Sequence, residues 1–184
     1  RAAHCARAKK QGACMSLITV IDINIFALII LLFIYVDAKR RIEMASGMQH
    51  RLFMHVIAVL ATLLVIDSLG RMFDGYQGAV YYRTNLAANL LLYSMVPLAP
   101  SMWVLFCSYQ VFQDGKRLRK LSVCIAAILM VNLALTAASV KTGWFFSIDG
   151  SNVYHRGPLF VFHMLLSFSI AVYPTVFLLA NRRN

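Results

Sequence analysis

"RLFMHVIAVLATLLVIDSLGRMFDG", residues 51–75, joins two signals that soluble proteins keep apart. Between Phe53 and Phe73 it is apolar for long enough to cross a hydrocarbon core of about 30 Å at about 1.5 Å per residue. Yet Asp67 and Arg71 stand inside that run. An ionisable side chain within a span turns toward other helices or water. The stretch therefore predicts a membrane helix with a polar stripe that needs partners.

Outward from it, four more apolar blocks predict spans at residues 17–36, 84–111, 121–141 and 158–180. Composition agrees: 60% of the chain is hydrophobic and 14% charged, against about 25% charged in soluble proteins. The connections are too short for a second domain. The expected fold is an all-α, polytopic bundle of five transmembrane helices.

The net charge of +11 invites a nucleic-acid reading, but the basic residues are sided rather than clustered with aromatic platforms. Lys39, Arg40, Arg41 and Arg51 lie in the first connection, Lys116, Arg117, Arg119 and Lys120 in the third, and Arg182 and Arg183 after the last span. The opposite side has Arg71, Arg83, Lys141 and Arg156. Basic residues favour the cytoplasmic face. The expected topology is N-terminus outside and C-terminus cytoplasmic, in a multi-pass plasma-membrane protein without a nucleic-acid partner. Residues 1–14 add Arg1, Arg7, Lys9 and Lys10 to the outside and precede the first Met, Met15. They are expected to be an upstream or non-native leader. Cys107 and Cys124 have no ligand-type spacing and are expected as buried small hydrophobes.

With sides assigned, depth becomes legible. Asp22, Asp67, Asn89, Thr136 and His163 each stand five or six residues inside the outer end of their span, roughly 8 Å deep. Asn85, Asn89 and Tyr93 follow an i, i+4, i+8 line; Asn132, Thr136 and Ser139 share a face, as do His163 and Ser167. Facing lipid, an Asp costs about 2.5 to 3.5 kcal/mol. These residues predict a polar pocket in the outer half. Each also has a plainer reading: Asp67 neutralised by Arg71, the Asn residues as interhelical hydrogen bonds, His163 as a satisfied core histidine rather than a metal ligand. Pro97, Pro100 and Pro174 mark places where helices bend.

Above that layer lies "GWFFSIDGSNVYHRGP", residues 143–158. Trp144, Phe145 and Phe146 suit the headgroup level, Asp149-Gly150 signals a hairpin turn, and Pro158 suits a first helical turn. We expect a short outer hairpin between the fourth and fifth spans, a lid offering Asp149, Asn152, Tyr154, His155 and Arg156. A solvated turn with Arg156 on a lipid phosphate is the plainer reading.

Taken with "DINIFALIILLFIYVDAKRR", "NLLLYSMVPLAPSMWVLFCSYQVFQDGKRLRKL" and "GWFFSIDGSNVYHRGPLF", the chain resembles the N-terminal membrane region of bacterial GGDEF diguanylate cyclases of the Firmicutes type. The resemblance implies a sensory input domain, regulating cyclic di-GMP synthesis by a cytoplasmic effector or, in related modules, a histidine kinase. It implies a homodimer, and GTP and Mg²⁺ only for the effector, none for this chain. No GGDEF, P-loop or HExxH string is present, so these residues are not expected to form an enzyme. The signal is expected to be an unidentified small ligand. A small transporter or substrate-binding membrane subunit is the alternative, and a passive anchor the third.

Overall fold

The structure is a computed structural model and describes residues 2–41 and 47–181. Arg182 and Arg183 lie outside the described residues, as do the side chains of residues 1–14 that bear on the leader. The described residues form six helices: α1 Ala2–Arg41, α2 Met48–Phe73, α3 Ala79–Met95, α4 Leu98–Phe112, α5 Gly115–Thr142 and α6 Phe160–Asn181. Between α5 and α6 stands a two-stranded antiparallel hairpin, β1 Phe146–Ile148 and β2 Tyr154–Arg156.

Among the described residues, four stretches are long and apolar enough to cross a membrane: Ile21–Arg40, Met48–Phe73, Ala79–Phe112 and Gly115–Thr142. Their largest apolar side chains point outward, with Phe33 71% and Met130 64% exposed. That inversion of the soluble pattern suits a protein whose solvent is lipid. α6 is apolar too, its described side chains forming the stretch Phe160–Ile170.

The expected third span is two helices, not one. α3 and α4 meet at Val96 and Pro97, both of which keep right-handed helical dihedrals. Pro97 has no N–H, so the Tyr93 carbonyl four residues earlier loses its helical donor. Two side chains replace it: Asn132 Nδ2 donates to Tyr93 O at 3.1 Å, and His163 Nε2 does so at 3.1 Å. Asn132 Nδ2 also reaches Ser94 O at 3.3 Å. Downstream, Ser101 Oγ donates to Pro97 O at 2.7 Å. The break is thereby riveted to α5 and α6, where an unpaired carbonyl would be costly in lipid.

Packing separates the two ends of the bundle. At one end Val104 and Leu105 of α4 bury against Leu118 and Ile125 of α5, with Leu52 and Ile170 beside them. At the other, Tyr93 stacks on Phe146 at 5.1 Å between centroids, and Phe145 packs against His163 at 4.9 Å. Phe145 and Phe146 are buried and lead into the hairpin. Gly157 closes the hairpin stem. A Cβ there would lie 2.2 Å from Gly143 O and Trp144 O.

Two smaller expectations are corrected. α6 begins at Phe160, so Pro158 lies in the turn before the helix rather than in its first turn. Cys107 is buried as expected, but Cys124 is exposed, on the outward side of α5.

Candidate functional site: a mixed-charge cleft beneath the hairpin

The hairpin pairs Phe146 with Arg156, Ser147 with His155 and Ile148 with Tyr154. Five residues, 149–153, make its loop, not the two-residue Asp149-Gly150 turn that the sequence suggests. The left-handed residue is Asn152, at φ 60°. Asn tolerates that conformation better than most side chains.

Asp149 organises the loop. Its Oδ1 accepts from the Ser151 and Val153 amides, each at 2.9 Å, and its Oδ2 meets His155 Nε2 at 3.1 Å. The Val153 amide first, then His155, hold its carboxyl below the usual carboxylate range. Both side chains are exposed. Asp149 and His155 thus close their own loop and do not line the cleft beneath.

Asn152 is the fastener. It is 3% exposed, and its Nδ2 donates to Phe73 O at 2.8 Å and Tyr76 O at 2.9 Å. Its Oδ1 accepts from Asn85 Nδ2 at 3.1 Å, and its carbonyl accepts from the Gly75 amide at 2.7 Å. The expected lid tip is therefore locked onto the α2–α3 connection.

Below it lies a cleft of about 390 Å³, within the 300–1,000 Å³ common for ligand sites. From the expected pocket it recruits Asp67, Asn85, Asn89 and Tyr93, and from the expected lid Tyr154 and Arg156. Arg71 and Asp74 complete its charges. Ile66, Leu92, Val96, Phe160 and Met164 supply apolar wall. Asp67, Gly70 and Arg71 stand at i, i+3 and i+4, which places them on one face of α2, and Asp74 follows as the residue that caps the helix.

The polar groups divide into those already satisfied and those left open. Asp67 Oδ2 takes Arg71 Nε and Asn24 Nδ2, both at 3.0 Å. Asn24 also donates to Ser68 Oγ at 3.0 Å. Asn89 Nδ2 donates to Asn85 Oδ1 at 2.8 Å, and Asn85 Nδ2 reaches Asp74 Oδ1 at 3.3 Å. The Tyr154 amide donates to Asp74 Oδ1 at 2.8 Å, and the hydroxyls of Tyr93 and Tyr154 hydrogen-bond to each other. Arg156 lies over the Phe160 ring, 4.8 Å from its centroid.

Four expected pocket residues do other work. Asp22 is exposed on α1 and lies outside the cleft. Asn24, two residues and about 200° further round the helix, makes the inward contact that Asp22 was expected to make. Thr136 is fully buried and donates to Asn132 O at 2.8 Å. Ser167 donates to His163 O at 3.0 Å. His163, 1% exposed, is spent on the Tyr93 carbonyl, and its buried Nδ1 has no hydrogen-bond partner among the described residues. Among the described residues no three His, Cys, Asp or Glu side chains gather as a metal site would need.

Sequence reasoning missed Asn24, Arg71 as a wall residue, and Asp74. The heptad-like spacing from Asp67 to Asp74 could have revealed the last two. Nothing local distinguishes Asn24 from Asp22.

No family model matches this chain, and no curated protein or solved structure shows significant similarity to it.

Proposed function

We propose that the chain is a membrane-embedded sensory input domain that binds a small ligand in the cleft between α2, α3, α6 and the hairpin. α3 and α4 together serve as one broken span and α6 as the fifth, with the hairpin on the outer face and the α4–α5 connection in the cytoplasm. The basic residues on the α4–α5 side support that sidedness. The observation that carries the reading is the cleft itself: four charged side chains held over apolar walls, beneath a hairpin fastened by Asn152. Asp67 is the least exposed of the four, 23% against 50% for its partner Arg71, and a passive anchor has no need to hold a carboxylate inside a span.

A mechanism follows from the elements that meet at the cleft. α2 and the hairpin form its rim, and Tyr93 in its wall is the residue whose carbonyl is freed by the Pro97 break. A ligand that binds better to one arrangement of α3 against α4 shifts the balance between them. α4 packs on α6, and α6 carries the shift to the C-terminal side, where the resemblance places a GGDEF cyclase in the plasma membrane's cytoplasmic face.

Joining a GGDEF domain after Asn184 and measuring cyclic di-GMP in cells tests this. Met164→Trp, which fills the cleft, is expected to alter output while surface expression holds. Output identical to the unsubstituted chimera under every growth condition rejects the sensor.

A further inference from the structure

We infer that the ligand of this cleft is a small zwitterion with an apolar portion: one ammonium and one anionic group a few bonds apart, as in a hydrophobic amino acid or an ethanolamine phospholipid headgroup. The inference rests on the cleft being a ligand site, as proposed above.

The argument is one of residual charge. The lining contains two carboxylates, Asp67 and Asp74, and two guanidinium groups, Arg71 and Arg156. Asp67 and Arg71 neutralise each other across 3.0 Å. Asp74 and Arg156 remain, and among the described residues neither has an oppositely charged partner. Asp74 has one oxygen taken by the Tyr154 amide and Asn85, leaving the other unbonded. Among the described residues Arg156 is held by the face of Phe160 alone, which leaves its N–H edges available.

Their placement sets the spacing. Tyr154 donates its backbone amide to the Asp74 carboxylate, and Arg156 lies two residues along the strand from Tyr154, roughly 7 Å of backbone rise, with its side chain on the same face as that of Tyr154. No ion pair joins them among the described residues, and both line one cleft. Both residues are exposed, so a singly charged ligand would engage one and leave the other to water, forgoing half of the charge-assisted hydrogen bonds on offer. A zwitterion satisfies both. Its apolar part then lies against Leu92, Val96 and Met164, deeper in the cleft wall.

Titration calorimetry on the chain in phosphatidylglycerol nanodiscs, which contain no ammonium, decides the charge class. Leucine is expected to bind at least tenfold more tightly than N-acetylleucine, which lacks the cation, or leucinamide, which lacks the anion. Asp74→Asn, which keeps the acceptor for Tyr154, should erase the advantage over N-acetylleucine. Arg156→Gln should erase the advantage over leucinamide. A second arm adds phosphatidylethanolamine to the discs: its retention by the released protein in native mass spectrometry, lost in Asp74→Asn, assigns the same chemistry to a lipid headgroup. Equal binding of a singly charged probe, or neither leucine binding nor lipid retention, overturns the zwitterion. Met164→Trp separates the two claims. If it abolishes binding of a singly charged probe, the cleft stands and only the ligand class falls; if every bound probe is indifferent to it, the cleft is not the site.

Discussion

Asn152 shows how one residue can look like an exposed loop tip and act as a fastener. It sits in a five-residue loop beside Asp149-Gly150, which reads as the turn, yet it takes the left-handed conformation and spends its amide on the α2–α3 connection. Asn152→Gly relieves the backbone but removes the amide, leaving the Phe73 and Tyr76 carbonyls unpaired. It is expected to destabilise the protein by about 2–4 kcal/mol in thermal unfolding, as loss of a buried hydrogen-bonding group does. A change within about 0.5 kcal/mol would show the contacts to be dispensable. Asp149 answers to pH instead. Its folded carboxyl titrates below the usual range, so its contribution is complete above the unfolded value of about 3.9 and drains away as pH falls through the lower folded value. Amide exchange at Ser151 and Val153, corrected for intrinsic rate, should stay flat above about pH 5 and quicken below about pH 4. Asp149→Ala should exchange fast throughout and lose that dependence.

At the scale of elements, the junction of α3 and α4 is the feature whose cost is borne by neighbours. Pro97 removes a helical hydrogen bond, and Asn132 of α5 and His163 of α6 repair it from outside. Asn132→Leu should therefore cost about 1–2 kcal/mol, toward the upper end for interhelical hydrogen bonds in membranes. In a Pro97→Ala background, where the helix supplies its own donor, the same change should cost less than half as much. Additive costs in this double-mutant cycle would show that the two features are independent. The sequence displayed Pro97, Asn132 and His163 separately. Their meeting depends on the rotation of α5 and α6 about their axes, which a run of apolar residues leaves open. The hairpin stem has a sharper requirement: Gly157→Ala places a methyl against two backbone carbonyls. It should displace β2 and cost about 3 kcal/mol or more.

For the whole molecule, the proposed sidedness is the claim most open to direct measurement. Single cysteines at Gly150 and at Lys116, in a background with Cys5, Cys14, Cys107 and Cys124 replaced, should label from opposite sides of intact cells. Gly150 is expected to react with an impermeant maleimide and Lys116 only after permeabilisation. The reverse pattern would place the cleft on the cytoplasmic side. Membrane character, the approximate extents of α2 and α5 and the existence of the hairpin were legible in the linear chain, because span length and hydropathy are properties of a segment alone, whereas the division of the third span into α3 and α4 was not. The polar layer was half legible. Asp67, Asn85, Asn89 and Tyr93 reach the cleft as their spacing suggests, while Asp22 gives way to Asn24, and Thr136, His163 and Ser167 serve the backbone. Depth follows from counting residues along a helix. Azimuth, and hence which polar groups meet and which charges are left without partners, is settled only when the helices pack, because in an apolar solvent many rotations bury nearly the same area and the hydrogen bonds between helices choose among them.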